Sequence, residues 1–232
     1  GESDPELTRQ ICNAWKSDRC VAATVLREDL GHALAQLGSW PGTRIVQDNV
    51  ISKPPGGGAL GYHQDNANLA WYTPSETLTC WIALDATSSA NGTLEFVKGS
   101  HRWQRQLQPQ GEFHNPADYQ IEMETAAQQE GQTPEVIHVE VPRGGGSFHH
   151  GWMWHGSGAN RSLDWRRSLV LHGMRSDTQF VPEGLGCGNG PVYSRYKHLD
   201  DCDMDENHFP ILWRQDGHRT AGISTVIAAQ HD

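Results

Sequence analysis

Glycine and proline cut this chain into short pieces. They cluster at Pro54-Pro55-Gly56-Gly57-Gly58, at Gly144-Gly145-Gly146 and between Gly184 and Gly190, a punctuation that suits strands and turns better than long helices. Between the clusters, Leu78, Cys80, Ile82 and Leu84 alternate with Thr79, Trp81, Ala83 and Asp85, which places one set on each face of a strand. Arg44 to Ile51, the segment carrying His63, Thr93 to Val97, Val136 to Val141, Ser147 to His150, Trp152 to His155 and Arg166 to Met174 read as further short strands. Asn91-Gly92 is a tight-turn signal, so Leu78 to Val97 is expected to form a hairpin.

Helical periodicity is confined to the start. Ser3-Asp4-Pro5 reads as a helix start, and Leu7, Ile11 and Trp15 then recur every fourth residue. A second helix is expected over about 27–37, with Leu30, Leu34 and Leu37 on one face and Gly38 as its stop. The expected fold class is mainly β: a double-stranded β-helix, or cupin-like jelly roll, with flanking α-helices. One domain over 1–232 is expected, with helices in 1–40, a core over 44–175 and a C-terminal extension over 176–232. Residues 98–135 are polar and Gln-rich, and a connection that long in a compact domain reads as a lid-like insertion over a site.

Composition removes several classes of function. The formal charge is -10 and no Lys/Arg-rich stripe occurs, which argues against a nucleic-acid surface. There is no apolar run of about 18 residues and no signal peptide, so no membrane association is expected. The cysteines (Cys12, Cys20, Cys80, Cys187, Cys202) are odd in number and lack CxxC spacing, the pattern of reduced thiols in a cytoplasmic protein.

His63-Gln64-Asp65 carries the chemistry. In an extended strand the two outer side chains share a face, offering a divalent metal two of the three ligands of a facial triad. A histidine from another strand would complete it and leave positions open, as Fe(II) needs when it holds a co-substrate and O2 together. His155 ends a short strand, and Arg166 follows 11 residues later on the next, where its guanidinium could clamp the distal carboxylate of a bound dicarboxylic acid. His149, His150, His172, His114 and His101 are rivals for the third place, His150 foremost.

With these blocks in order, the sequence resembles the phytanoyl-CoA dioxygenase-like (PhyH) branch of the Fe(II)/2-oxoglutarate-dependent oxygenases. The matching text is Lys53-Pro54-Pro55, His63-Gln64-Asp65, Thr79 to Asp85 with Asn91-Gly92-Thr93-Leu94, Gly99-Ser100-His101-Arg102, His155 to Ser162, and Arg166-Arg167. The resemblance covers about 45–175 and implies His63, Asp65 and His155 as iron ligands. It implies Arg166, assisted by Ser157, as the anchor of 2-oxoglutarate, with Arg167 pointing to the opposite face. Trp81 resembles the tryptophan lining the co-substrate pocket, Gln47 and Asn49 are candidate polar pocket residues, and Lys53 could reach an anionic group. The plain alternatives are a turn-bonding Ser157, a core Trp81 and a solvated Lys53.

The implied reaction uses O2 to convert 2-oxoglutarate to succinate and CO2 while oxidising a C–H bond of a small-molecule substrate. Asp65 stands where halogenases of the fold have a small residue, which favours hydroxylation or a related oxidation. Two departures from the family pattern are visible. Gly144-Gly145-Gly146 lacks the usual acidic residue, and the N-terminal strand and helix usual in the family would precede the first residue. The competing expectations are a metal-binding cupin without oxygenase activity, such as an isomerase or a sugar-binding module, and a catalytically silent relative.

Overall fold

A computed structural model describes residues 7–105, 113–186 and 188–228. The helix start expected at Ser3-Asp4-Pro5, residues 106–112 of the lid-like insertion and Cys187 lie outside the described residues.

The order of elements is β1 (Arg9–Cys12), α1 (Arg19–Val25), α2 (Glu28–Gly38), β2 (Gly42–Lys53), β3 (Leu60–His63), β4 (Tyr72–Thr73), β5 (Thr77–Ala83) and β6 (Glu95–Val97). It continues with α3 (Ile121–Gln129), β7 (Val136–His138), β8 (Gly146–His150), β9 (His155–Ser157), β10 (Arg166–Arg175), β11 (Gln179–Phe180), α4 (Gly190–Tyr193), β12 (Ile211–Arg214) and α5 (Ile223–Ala228). A six-stranded sheet runs β1-β2-β10-β5-β8 with β12 also on β2, and a four-stranded sheet runs β3-β9-β6-β7. β4 and β11 form a two-stranded ribbon. The fold is the mainly-β jelly roll.

Local chemistry explains most of these elements. α2 starts on Glu28 and Asp29, acidic residues in the first turn, and ends at Ser39 in the left-handed region. Its buried face is Gly31, Leu34 and Ala35, while Leu37 is 59% exposed. Leu34 and Gly31 thus face the core and Leu37 does not. A Cβ at Gly31 would sit 2.6 Å from the Cβ of Leu212 on β12, so the small residue sets how closely α2 lies on that strand.

Two expectations are corrected. Among the described residues the first helix does not form: Arg9–Cys12 is a strand, followed by a short 3-10 turn at Ala14–Lys16. Leu7 and Ile11 are 51% and 59% exposed, so the every-fourth-residue spacing marks no buried stripe. Asn13 in the left-handed region ends the segment. The hairpin over Leu78 to Val97 does not form either, because β5 and β6 belong to different sheets. Asn91-Gly92 closes a 3-10 turn instead, with the Asn91 side chain accepting from Ser88 N and donating to Ala86 O. The chain uses this turn to cross between sheets.

The described residues group into two compact units. One comprises 1–10, 50–67 and 81–169, the other 11–49, 68–80 and 170–232. The first is centred on Tyr62, Val97, Met123 and Trp154. The second has an aromatic centre in which Trp71 stacks on Tyr193 at 4.8 Å, with Phe180 and Phe209 against it. Cys12, Cys20, Cys80 and Cys202 are free thiols. Among the described residues no helix is long and apolar enough to cross a membrane.

Candidate active site

The site builds from the pairing of β3 with β9. Their antiparallel register sets His63 directly opposite His155, and directly opposed side chains on one face meet. The two imidazole centroids lie 4.1 Å apart. Gly156 between the ligand and Ser157 is required by packing, because a Cβ there would come within 2.6 Å of the Tyr62 ring.

Asp65 arrives by a different route from the one expected. β3 stops at His63, and Asp65 opens a 3-10 turn over Asp65–Asn68, so the two residues do not share a strand face. The turn nevertheless swings the carboxylate to within 3.6 Å of His63 Nε2 and 3.5 Å of His155 Nε2. The ligand-capable atoms of His63, Asp65 and His155 all lie within 4.8 Å of one another.

The donor set fits a divalent transition metal. Nδ1 of His63 lies 2.9 Å from the Gly61 carbonyl, and Nδ1 of His155 lies 2.9 Å from the Met153 carbonyl. A carbonyl can only accept, so each Nδ1 carries a proton, and Nε2 of each ring is the atom directed at Asp65 and offered to a metal. Burial and the neighbouring His155 push His63 down from its ordinary value. For His155, burial acts downward but the Asp65 carboxylate outweighs it and raises the group. His63, with 23% of its side chain exposed, is the open side of the cluster, whereas Asp65 and His155 are at 8% and 6%.

Residues on the same face of β9 lead to a second feature. Ser157 stands two residues beyond His155, and its hydroxyl donates to Gly92 O at 2.9 Å while accepting from Arg166 Nη2 at 2.7 Å and Lys53 Nζ at 2.6 Å. Arg166 also donates from Nε to Gly92 O at 2.9 Å and from Nη1 to Ser168 Oγ at 3.3 Å. Three of its five N–H groups are thereby used. Gly92 can carry out this double acceptance only as glycine: its φ is +69°, and a Cβ would fall 2.3 Å from Gly158 O.

Arg166 is 1% exposed, and no carboxylate among the described residues pairs with it. Burial lowers its guanidinium to about 10, leaving it charged at neutral pH. Lys53, fully buried, is pushed down to about 6 by burial and by Arg166, against the opposing pull of Glu95. Lys53 Nζ donates to Ser157 Oγ at 2.6 Å, to Gly158 O, and at 3.4 Å to Ser157 O. Lys53 is therefore not the solvated loop residue of the plain alternative.

The remaining candidates are placed as follows. Trp81 is 2% exposed near the end of β5. Gln47 and Asn49 belong to the other unit, where Gln47 accepts from Tyr193 and Asn49 Nδ2 lies 3.0 Å from His172 Nε2. His172 is held on its other side by Thr79. Arg167 points away and pairs with Asp85. Of the rival histidines, His149 comes to the cluster, 3.4 Å from Asp65; His150 accepts from Trp152 N instead. Phe113 of the lid-like insertion packs edge-on against His63 at 4.8 Å. Ser168 and Gly92 were missed as site residues, and His149 was named only as a rival for the third ligand. The paired histidines at 149–150 were the one available signal, and which of them meets Asp65 depends on how β8 arrives beside it.

The sequence profile of the family described as phytanoyl-CoA dioxygenase (PhyH) matches residues 4–168. The chain belongs to this family. A PhyH relative from Stutzerimonas stutzeri, named "Probable alpha-ketoglutarate-dependent hypophosphite dioxygenase", is 31% identical over 159 residues, 67% of this chain and 51% of the relative. "Probable phytanoyl-CoA dioxygenase" of Caenorhabditis elegans is 30% identical over 142 residues, 55% of this chain and 41% of that one. The chain spans about half the length, or less, of these curated relatives. The crystal structure of the non-heme alpha ketoglutarate dependent carbocyclase SnoK from nogalamycin biosynthesis shares the PhyH chain's fold. Its TM-score is 0.68 at 22% identity, covering 90% of this chain and 78% of that one.

Proposed function

We propose that the chain is a non-haem Fe(II)/2-oxoglutarate-dependent dioxygenase that hydroxylates, or otherwise oxidises, a C–H bond of a small-molecule substrate. The observation that carries this reading is Arg166: a buried guanidinium with no carboxylate partner among the described residues and two N–H groups to spare. A buried unpaired charge is costly, and a dicarboxylate with one end on a metal would supply the missing partner at the other. A metal-only cupin has no use for it. Membership of a dioxygenase family and the alpha-ketoglutarate dependence in a relative's name support the same reading.

In this reading His63, Asp65 and His155 hold Fe(II) by two Nε2 atoms and a carboxylate oxygen, leaving positions open. Arg166 holds the distal carboxylate of 2-oxoglutarate by its two remaining N–H groups, a geometry suited to a bidentate fork. Ser157 keeps that fork aligned through its hydroxyl, and Lys53 ties the following turn. Phe113, packed edge-on against His63, covers that side of the cluster and limits water there. When bound, Fe(II) with 2-oxoglutarate and O2 supplies the oxidising power, with succinate and CO2 as by-products. Trp81 is assigned to the wall of the co-substrate pocket.

Anaerobic loading with Fe(II) followed by 2-oxoglutarate tests the site directly. The weak visible metal-to-ligand charge-transfer band of a chelated co-substrate should develop, and should be lost in His63→Ala. Iron uptake without the band would favour the cupin without oxygenase activity, and no metal uptake would favour the silent relative.

A further inference from the structure

The two oxygens of Asp65 face different neighbours. Oδ1 is the one directed at Nε2 of His63 and of His155. Oδ2 lies 3.4 Å from Nε2 of His149. His149 sits on β8 with 2% of its side chain exposed, and its ring lies 4.5 Å from that of His155 and 5.0 Å from that of Phe96. It does not join the mutually close set formed by His63, Asp65 and His155, so its position is beside the metal ligands rather than among them.

A carboxylate can bind a metal through one oxygen or through both. Six-coordinate iron with three single-atom protein donors keeps three positions, enough for a chelating co-substrate and O2 together. If Asp65 closed on the metal through both oxygens, one of those positions would be lost. A neutral imidazole that donates its N–H to the second oxygen opposes this closure, and outer partners of this sort orient metal-bound carboxylates generally.

We propose that His149 is a positioning residue of the metal centre, its Nε2 set within ion-pair reach of Asp65 Oδ2, at 3.4 Å and outside hydrogen-bond geometry, so that it takes up that oxygen as a donor when Oδ1 holds a metal and restricts Asp65 to coordination through Oδ1. The proposal rests on the reading of His63, Asp65 and His155 as metal ligands. Its consequence is an O2 position kept open by a residue that touches neither metal nor substrate.

The test uses Mn(II) alone on the full chain, with affinity read by electron paramagnetic resonance and exchangeable metal-bound water by proton relaxation. His149→Phe fills the volume without a donor, and should weaken Mn(II) about tenfold and remove one exchangeable water. His149→Gln keeps an N–H donor and should stay within about twofold of the parent with the parent's water count. His149→Leu carries the same expectation as His149→Phe should the latter fail to fold. An unchanged water count in the donor-less variant overturns the proposal whatever the affinity does, and so does a glutamine variant that falls with it. A parent protein that takes up no Mn(II) overturns the metal centre itself, and this role with it.

Discussion

Arg166, Ser157 and Lys53 make a chain in which a single hydroxyl serves two buried basic groups. Ser157 Oγ accepts from both and donates its own O–H to Gly92 O, so the guanidinium plane is set before any ligand arrives. Arg166→Ala removes a charge-assisted pair worth about 1.5–3 kcal/mol. Titration of 2-oxoglutarate onto the metal-loaded protein should therefore need on the order of 10–100-fold more co-substrate, with metal affinity nearly unaltered. An unchanged requirement would take Arg166 out of the site. Lys53 gives a pH signature. In the unfolded chain it keeps its proton up to its ordinary value of 10.5, whereas in the fold it loses it above about 6. Between those values the unfolded chain binds more protons, so this residue's contribution makes stability rise with pH. Equilibrium denaturation at about pH 7 and about pH 9 should show the parent gaining on Lys53→Met by up to about 1.4 kcal/mol per pH unit. Parallel behaviour of the two proteins would mean that Lys53 stays charged in the fold.

Among the elements, the crossing between β5 and β6 matters most to the site. Its 3-10 turn ends at Gly92, whose carbonyl accepts from both Ser157 and Arg166, so an element of connection doubles as part of the proposed co-substrate anchor. Gly92→Ala faces a left-handed φ and a carbonyl 2.3 Å from the new Cβ. The expected loss is about 2 kcal/mol or more in denaturant unfolding, accompanied by weaker 2-oxoglutarate binding. A variant as stable as the parent would show that the turn can relax without cost. The β3–β9 pair shows why the element scale was only partly legible in sequence. That His63 and His155 belong together follows from motif spacing, but their direct opposition is a matter of register. Register depends on contacts more than ninety residues apart in the chain.

For the whole molecule, each compact unit is assembled from three separated stretches of chain, while the entire candidate metal and anchor set lies in one of them. Ligand binding there should raise the stability of the fold by mass action. Under anaerobic conditions, Fe(II) and 2-oxoglutarate at about 100 times their dissociation constants should add about 2.7 kcal/mol, read as an upward shift in melting temperature. Asp65→Ala should show no such shift; an equal shift in that variant would locate the binding elsewhere.

Alternation and punctuation by glycine and proline determined the mainly-β class, the extents of β2, β5 and β10, and the stop of α2, because these depend on neighbours a few residues away. The residue types at His63, Asp65, His155 and Arg166 likewise pointed to a candidate metal and carboxylate anchor, since that chemistry belongs to the side chains themselves. The spacing of Leu7, Ile11 and Trp15 misled, because fourfold spacing is only a helix signal where a buried face exists to receive it. Tertiary structure alone decided that β6 joins β9 rather than β5, that Lys53 is buried against Ser157, that Gln47 and Asn49 bond to Tyr193 and His172, and that His149 rather than His150 meets Asp65. Each of these turns on which distant strand arrives beside which and in what register, and no local pattern of residues encodes that.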